Sequence, residues 1–479
     1  MINILKSKIK QIIGHENLEL MSHSKNYLTA DFFAQALGFI SVPIFTRLLT
    51  PHEYGILAIF SSLISIMGIL YGLNITAGIR QYYMERTDDF DESLGSNLIF
   101  LIVLNLFLTF GVFVWRKNLA RYFGLDDFVF FMAILITGGT VVYEVLLTYL
   151  QGSQNSKKYS ILEVVKNSSI LIISIILVIV FEKDKYLGRI YGQLIVTGII
   201  FILAFLFLSK IAKFTFRWKY VKFTLSFGIP LIPHTLSGFI LTYFDRVIIQ
   251  HLSTTTNTGL YSFAYNVGML MYVVAMASSK AWQPIFYRDY AELKYQTIEK
   301  KASNYSNYIY IAAIGLILFA KEIVMVLASK RYYNALNLIP AIILSYVMVY
   351  LYTLYFQYAS FRRKTALISL NTLIAAVLNI VLNYLLIPKY GYFMAAYTTL
   401  ISFMVLLILH YINAKYVLKE HVISLTKILP NMGWVLFAIV IFFLLNPVSF
   451  FIAFPIKLTV MVLSIWFLLK ENLRRVIEV

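Results

Sequence analysis

Residues 95–115 read GSNLIFLIVLNLFLTFGVFVW, and this stretch decides the class of fold. It carries no charged side chain. As a helix rising about 1.5 Å per residue, it is long enough to cross the hydrocarbon core of a bilayer. Its apolar residues do not alternate with polar ones, as they would in a strand of a membrane barrel, so the sequence predicts a membrane-spanning helix. Similar runs, such as 170–181 and 458–469, fill the chain almost from end to end.

The whole chain is consistent with this interpretation, because 60% of its residues are hydrophobic, only 13% are charged and the mean hydropathy is +0.76. We predict an all-α polytopic membrane protein with about fourteen transmembrane helices. Their approximate ranges are 27–49, 53–78, 95–115, 128–150, 161–181, 188–209, 224–249, 259–281, 303–320, 338–358, 366–387, 391–412, 428–447 and 449–469.

The basic loops predict the orientation of the chain in the membrane. Placing the N-terminus in the cytoplasm puts most of the 41 Lys and Arg residues, including those of 210–222, 282–301 and 362–364, on the cytoplasmic side. An even number of spans then puts both termini there. Ahead of the first span, apolar residues of 1–26 recur at helical spacing between lysines, which predicts an amphipathic segment on the inner membrane surface.

Composition also excludes several classes of function. The net charge of +18 would suggest nucleic-acid binding in a soluble protein, but in a membrane protein it is explained by cationic loops, and we expect no nucleic-acid partner. The chain has no cysteine, which excludes disulfides and thiolate metal sites. Its seven histidines form no HExxH or similar pair, so we expect no metal centre.

The chain contains a faint internal repeat. Residues 43–58 and 244–262 each combine the outer end of a proline-bearing helix, an arginine, a short polar turn and a glycine that begins the returning helix. Six spans separate the two copies, so they would be parallel repeats, a plan that transporters use. The predicted organisation is an N-terminal segment (1–26), two six-helix lobes (27–222 and 223–427), and a C-terminal pair of helices with a tail (428–479).

The repeated residues resemble the polysaccharide (O-antigen type) flippase family, which shares a superfamily with multidrug extruders and lipid II flippases. The stretch TRLLTPHEYG at 46–55 resembles the signature of the first hairpin in that family. The stretches DRVII at 245–249 and GLYSFAY at 259–265 resemble the signature of its seventh and eighth helices, and IPKYG at 387–391 is a weaker third match. By architecture the resemblance covers the first twelve spans.

The resemblance implies a function and a location. The cargo would be an oligosaccharide repeat unit on undecaprenyl pyrophosphate, moved from the inner to the outer leaflet of a bacterial cytoplasmic membrane by alternating access. The product would enter O-antigen or capsule assembly, with polysaccharide polymerase machinery and membrane lipids as partners. No cofactor is implied apart from a coupling cation, H⁺ or Na⁺.

Four cationic residues are candidates for the path of the pyrophosphate: Arg47, Arg80, Arg246 and Lys280. Fixed cations lower the barrier for an anion crossing the membrane core, and arginine holds phosphate oxygens through paired hydrogen bonds. They lie on the helices that line the cavity in the family that the chain resembles. The alternative is that each side chain extends to lipid headgroups at a membrane face.

The acidic residues of the spans are candidates for gating or ion coupling. Asp245 points about 100° away from its neighbour Arg246 on a helix, so we hypothesise that it meets Arg47 in an outer gate. Asp31 either binds a coupling ion or stabilises the start of its helix. Glu163 and Lys166 lie three residues apart on one helix face and form either a structural pair or part of a coupling cluster, which Glu144 would complete.

Two other classes of function remain open. A lipid II flippase or an ion-coupled multidrug exporter of the same superfamily is the first alternative, although a cation exporter would be expected to have more buried carboxylates than buried bases. The second is a membrane enzyme, such as a polysaccharide polymerase or ligase. The longest predicted outer loop, 320–337, has no paired carboxylates for acid–base chemistry, so we expect no catalytic residues and no enzyme.

Overall fold

The computed structural model describes residues 15–86 and 88–477, and the side chains within them except those of 15–25, 28, 31 and 471–477. Every regular element in these ranges is helical. Two π-helical turns (Ile240–Phe244 and Asn413–Val417) and a 3₁₀ helix (Lys330–Leu338) interrupt the α-helices. The α-helices are α1 His15–Leu48, α2 Pro51–Gly72, α3 Ile75–Glu85, α4 Phe90–Phe123, α5 Asp127–Gly152, α6 Ser156–Val180, α7 Lys185–Ser209, α8 Trp218–Phe239, α9 Asp245–Leu252, α10 Thr255–Ala291, α11 Tyr295–Leu318, α12 Ala320–Leu327, α13 Ile339–Phe361, α14 Thr365–Tyr390, α15 Met394–Ile412, α16 Leu425–Leu445 and α17 Phe450–Ile477.

The prediction of an all-α polytopic membrane protein is confirmed. Within the described ranges, twelve helices are long and apolar enough to cross a membrane, and α11 with α12, bent by 61°, makes a thirteenth. The remaining predicted span corresponds to α1, which is apolar over Phe32–Leu48. Of the predicted amphipathic segment, residues 1–14 lie outside the described residues, whereas 15–26 continue directly into α1.

The second predicted span differs from its expected form, because 53–78 is two helices rather than one. Leu73 and Asn74 have φ angles of 44° and 51°, a left-handed conformation that ends α2 and begins α3. Bulky residues such as Leu rarely adopt this conformation. The backbone of α8 lies close to this break between α2 and α3, since a Cβ atom on Gly228 would lie 2.5 Å from the Leu73 carbonyl oxygen. Gly72 and Asn74, which favour turns, mark this break within a run that is otherwise apolar.

The chain folds into two compact units. The first comprises the described residues up to Leu49 together with Ile59–Thr235, and the second comprises Thr50–Ala58 and the described residues from Leu236 onward. In the first unit, α6 packs closely on α7 through small residues. A Cβ atom on Gly192 would lie 2.5 Å from Ser174 Oγ, and one on Gly188 would lie 2.5 Å from the Val178 nitrogen. Such contacts are typical of helices packed inside membranes.

The second unit is built around α13. In the most apolar stretch of Lys330–Phe361, 89% of the residues are buried within the protein, so this span faces other helices rather than lipid. It packs against α10 and α15, and α14 packs on α15. The predicted lobe boundaries stay predictions, although Thr50–Ala58 of the first predicted lobe falls in the second unit and 223–235 of the second predicted lobe falls in the first unit.

The C-terminal helix α17 is held in the second unit by polar contacts. Lys457 Nζ binds both carboxylate oxygens of Glu322 on α12, at 2.6 and 2.9 Å, and the lysine side chain is 2% exposed. The Asn307 amide on α11 donates to the Leu468 carbonyl at 3.0 Å. These groups satisfy each other where water is scarce, so they fix the position of α17 on α11 and α12.

Candidate functional site

The start of α2 shows what the first signature does structurally. Thr50 is the capping residue and Pro51 is the first residue of the helix. The Thr50 hydroxyl accepts from the Glu53 backbone nitrogen at 3.2 Å, and the Glu53 carboxylate accepts from the Thr50 nitrogen at 2.9 Å. This reciprocal pair is a capping box, and proline at the first position loses no hydrogen bond. The signature therefore specifies a sharp helix start.

The glycines of the two repeats pack against each other. A Cβ atom on Gly55 would lie 2.0 Å from the Thr255 carbonyl oxygen, and one on Gly259 would lie 1.8 Å from the Pro51 carbonyl oxygen. Each carbonyl lies four residues before the other glycine, so the contact is reciprocal. The starts of α2 and α10 thus approach backbone to backbone, and only glycine leaves room for this.

A hydrogen bond accompanies this glycine contact. The Asn266 amide on α10 donates to the Tyr54 hydroxyl at 2.7 Å. The Tyr54 ring meets the ring of Tyr332 edge to face, with centroids 5.7 Å apart. Tyr54, the residue before Gly55, is thus held by two contacts within the second unit.

Arg246 belongs to the second copy of the motif and is almost completely buried within the second unit, with 5% of the residue exposed. Its Nη1 donates to the Thr242 carbonyl at 2.6 Å, a carbonyl of the π-helical turn before α9. The guanidinium carbon lies 4.5 Å from the ring centroid of Tyr265 and 5.3 Å from that of Tyr243. Aromatic faces stabilise a desolvated cation, which explains how this charge is tolerated inside a span.

Asp245 is fully buried beside Arg246, but its carboxylate turns to other partners. It accepts hydrogen bonds from Tyr261 Oη at 2.6 Å, Asn383 Nδ2 at 2.7 Å and Thr399 Oγ1 at 2.6 Å. In the described part of the chain, no carboxylate forms an ion pair with Arg246. The two adjacent charges therefore belong to two different environments, as their helical angle predicts.

A second layer of polar groups surrounds the Asp245 carboxylate. Asn383 accepts from Thr398 Oγ1 at 2.5 Å and donates to Asn379 Oδ1 at 3.1 Å, and Asn379 donates to Thr399 at 3.3 Å. We call the six residues the Asp245 cluster: Asp245, Tyr261, Asn379, Asn383, Thr398 and Thr399. All six are buried, on α9, α10, α14 and α15.

Apart from Asp245, the sequence reasoning missed this cluster. The available signal was weak: Asn379 and Asn383 lie one helical turn apart in an otherwise apolar span, and the threonines look ordinary. Tyr261, Asn383 and Thr399 all donate to the carboxylate, so the observed arrangement stabilises an ionised Asp245, and its oxygens would bind a proton or a hard monovalent cation only after these hydrogen bonds rearrange. Sulfur and imidazole ligands, which softer metals prefer, do not occur in the cluster.

The other three predicted cationic residues are exposed, unlike Arg246. Arg47 is exposed, and its Nη1 donates to the Pro43 carbonyl of its own helix at 2.8 Å. The side chains of Arg80 and Lys280 are also exposed. The predicted gate between Arg47 and Asp245 stays a prediction, and the side chain of Asp31 lies outside the described residues.

Glu163, Lys166 and Glu144 come together in the first unit. Lys166 Nζ lies 2.5 Å from Glu163 Oε1, and both side chains are largely buried. Tyr143 donates to the same carboxylate at 3.0 Å, and Lys166 lies 4.6 Å from the centroid of the Tyr143 ring. Glu144, which follows Tyr143 on α5, interacts electrostatically with both Lys166 and Glu163. The role of these three residues in coupling stays a prediction.

The chain is similar in sequence to known proteins. Residues 26–288 match the polysaccharide biosynthesis protein family. A "Probable low-salt glycan biosynthesis flippase Agl15" from Haloferax volcanii is 22% identical over 82% of this chain and 83% of that protein. The "Lsg locus putative protein 1" of Haemophilus influenzae is 20% identical over 56% of this chain and 66% of that protein, so the match spans slightly under two thirds of it.

The fold also occurs among solved structures. A lipid II flippase, MurJ, in an inward closed conformation superposes with a TM-score of 0.73 and 17% sequence identity, covering 93% of this chain and 99% of MurJ. At this identity the likeness shows a shared fold. Because the family match covers more than half of the sequence, the chain is a multi-pass membrane protein that belongs to the polysaccharide biosynthesis protein family.

Proposed function

We propose that this protein is a flippase for oligosaccharide repeat units linked to undecaprenyl pyrophosphate, moving them from the inner to the outer leaflet of the bacterial cytoplasmic membrane. The product would be handed to polysaccharide polymerase machinery. Both termini lie in the cytoplasm in this proposal. The family membership and the relative named as a glycan biosynthesis flippase support it.

The observation that carries the proposal is that the Arg246 side chain is buried against the rings of Tyr243 and Tyr265. A cation buried in a span is costly unless it serves a ligand or a partner. The Asp245 carboxylate accepts its hydrogen bonds from Tyr261, Asn383 and Thr399 rather than from Arg246, so in the described contacts it does not occupy the guanidinium donors. A pyrophosphate crossing the membrane core needs such a group, and planar guanidinium suits its oxygens.

Transport would proceed by alternating access. Two features of the second unit would take part, the contact between Gly55 and Gly259 and the Asp245 cluster. The contact between Gly55 and Gly259 would close the outer end, and it would separate when the cargo leaves. The Asp245 cluster would bind the coupling cation, H⁺ or Na⁺. Cation binding there would change the hydrogen bonds among α9, α10, α14 and α15, and this supplies a difference in free energy between the two states.

Reconstitution in liposomes tests the cargo. Fluorescent undecaprenyl-pyrophosphate oligosaccharide, lipid II and a cationic drug are compared, each followed by its exposure to an outside reagent. The proposal predicts protein-dependent exposure of the oligosaccharide lipid. Exposure of lipid II alone would identify the lipid II flippase alternative, and movement of the drug alone would identify an exporter.

A further inference from the structure

The adjacent charges Asp245 and Arg246 contact two tyrosines that lie one turn apart on α10. Tyr261 Oη donates to the Asp245 carboxylate at 2.6 Å, whereas the Arg246 guanidinium carbon lies 4.5 Å from the centroid of the Tyr265 ring. The rings of Tyr261 and Tyr265 meet each other with centroids 5.7 Å apart. We call these two residues the tyrosine pair. The pair connects the carboxylate proposed to bind the coupling cation with the guanidinium proposed to bind the pyrophosphate.

The tyrosine pair is packed too closely for one ring to move alone. Tyr261 and Tyr265 are 0% and 1% exposed. Tyr265 also meets Tyr346 of α13, with ring centroids 5.8 Å apart and a hydrogen bond between the two side chains. Tyr346 is itself buried. Because a close-packed interior transmits strain, a movement of Tyr261 is passed to Tyr265 and to the guanidinium against it.

A cation can reach the Asp245 carboxylate only if one of its three hydrogen-bond donors moves away. Asn383 and Thr399 are linked to each other through Asn379, which accepts from Asn383 at 3.1 Å and donates to Thr399 at 3.3 Å. Among the hydrogen bonds of the described residues, the Tyr261 hydroxyl takes part only in the one to Asp245. Tyr261 is therefore the donor that leaves with the fewest other bonds broken, and cation binding displaces the tyrosine pair.

The charge of Asp245 also acts directly on Arg246, because the two groups interact electrostatically. A neighbouring anion weakens the attraction of the guanidinium for a second anion, and a cation bound at Asp245 cancels this effect. Of the groups that face the carboxylate, Arg246 and the tyrosine pair are titratable, whereas α14 and α15 present amide and hydroxyl groups. The electrostatic contribution is thus favourable, since cation and pyrophosphate each improve the site for the other.

We propose that the tyrosine pair couples the two sites, so that a cation held at Asp245 raises the affinity of Arg246 for a pyrophosphate. This inference rests on the proposed function, because it uses the same two sites. Linkage makes the effect reciprocal, so the pyrophosphate raises the affinity for the cation by the same factor. Tyr261 and Tyr265 are positioning residues that act through Asp245 and Arg246. Cation and pyrophosphate then bind together rather than in turn.

Binding of farnesyl pyrophosphate, a short polyprenyl pyrophosphate, tests the coupling by calorimetry on the purified full chain in detergent. Its dissociation constant is measured in sodium chloride and in choline chloride at equal ionic strength, and then over a pH series without sodium. We expect one of the two cations, Na⁺ or H⁺, to lower the dissociation constant about tenfold. Asp245→Asn lacks the cation site, so it should lose the sodium effect and should show, over the pH series, only the titration of the pyrophosphate itself.

Tyr261→Phe tests the tyrosine pair, because it keeps the ring and removes the hydroxyl. Without that hydroxyl the cation breaks no bond to the pair, so we expect both ligands to bind and the coupling to fall from about tenfold to about threefold or less. The matched control is Tyr310→Phe, since Tyr310 is a buried residue of α11 whose hydroxyl donates to the Ile428 carbonyl at 3.3 Å. The control should keep the full coupling.

An affinity for farnesyl pyrophosphate that neither cation changes would overturn the coupling and leave the proposed function standing. Coupling of equal strength in Tyr261→Phe and in the unsubstituted protein would overturn the role of the tyrosine pair. Absence of farnesyl pyrophosphate binding under every condition would overturn the inference together with the proposed function, so the two failures are distinguishable. If Tyr261→Phe does not fold, Tyr346→Phe removes the hydrogen bond that holds Tyr265 and should lower the coupling in the same way.

Discussion

Gly55 and Gly259 occupy equivalent positions in the two repeats and touch each other through their backbones, each facing the carbonyl four residues before the other. The reciprocity is what a pair of parallel repeats predicts. It joins the starts of two helices that the chain separates by about two hundred residues. The contact also limits both positions to the smallest residue.

The first prediction concerns the size of the side chain at position 55, in the contact between Gly55 and Gly259. Gly55→Val places side-chain atoms where the Thr255 carbonyl lies, so we expect the helix starts to be forced apart at a cost of about 1–3 kcal/mol. Flipping in liposomes should fall at least about tenfold, because the outer end can no longer close. The control is Gly68→Val on the same helix, where no atom lies within 4 Å of the built Cβ. Equal activity of the two variants would refute the role of the glycine contact.

The second prediction concerns the Asp245 cluster. Asp245→Asn removes the carboxylate that a cation requires, so ion-stimulated flipping should be lost. Thr399→Val removes one oxygen ligand, so it should raise the cation concentration needed for half-maximal stimulation by roughly tenfold.

A buried threonine outside the cluster provides the control for Thr399→Val. Thr137 bonds only to the Ala133 carbonyl of its own helix among the contacts of the described residues. Thr137→Val should leave the cation dependence unchanged. If Thr137→Val and Thr399→Val change the cation concentration for half-maximal stimulation equally, the Asp245 cluster does not bind the coupling ion.

The third prediction concerns the attachment of α17. Lys457→Met leaves the Glu322 carboxylate without its bidentate partner in a poorly hydrated site, and we expect a loss of about 3 kcal/mol in the free energy of unfolding. Glu322→Gln combined with Lys457→Met should recover much of this loss, because no unpaired charge remains. Thermal unfolding of the purified protein measures both; a double variant no more stable than the single would contradict the explanation.

The fourth prediction concerns acid stability at the start of α4. Hydrogen bonds from Tyr82 and Tyr220, with the charge of Lys219, lower the pKa of the Asp89 carboxyl, although partial burial opposes them. A lowered pKa in the folded state gives stability that is full above the unfolded value of about 3.9 and is lost as pH falls through the folded value. Asp89→Asn should therefore lower the thermal midpoint at pH 7 and flatten its decline in acid. The exposed Asp88→Asn is the control, and an equal effect of both variants would contradict the prediction.

The sequence predicted the fold well because membrane helices are specified by long apolar runs. It missed the turn at Leu73 and Asn74, because Gly72 and Asn74, which favour turns, only briefly interrupt a long apolar run, and the close approach of Gly228 is visible only in the structure. The same limit applies to the site. Asp245 and Arg246 were identifiable as charges inside a span, and Glu163 with Lys166 as neighbours on one face. Tyr261, Asn383 and Thr399 were not, because the three come from three helices and only tertiary packing brings them to one carboxylate.

The most direct test of the central claim is flipping of undecaprenyl-pyrophosphate oligosaccharide by reconstituted Arg246 variants. Arg246→Ala should reduce the rate by roughly a hundredfold and Arg246→Lys by roughly tenfold, because lysine keeps the charge but loses the planar paired donors. Arg116→Ala is the control, since Arg116 forms a half-exposed pair with Asp127. Rates of Arg246→Ala equal to those of Arg116→Ala, in protein that folds normally, would contradict a cationic path through Arg246.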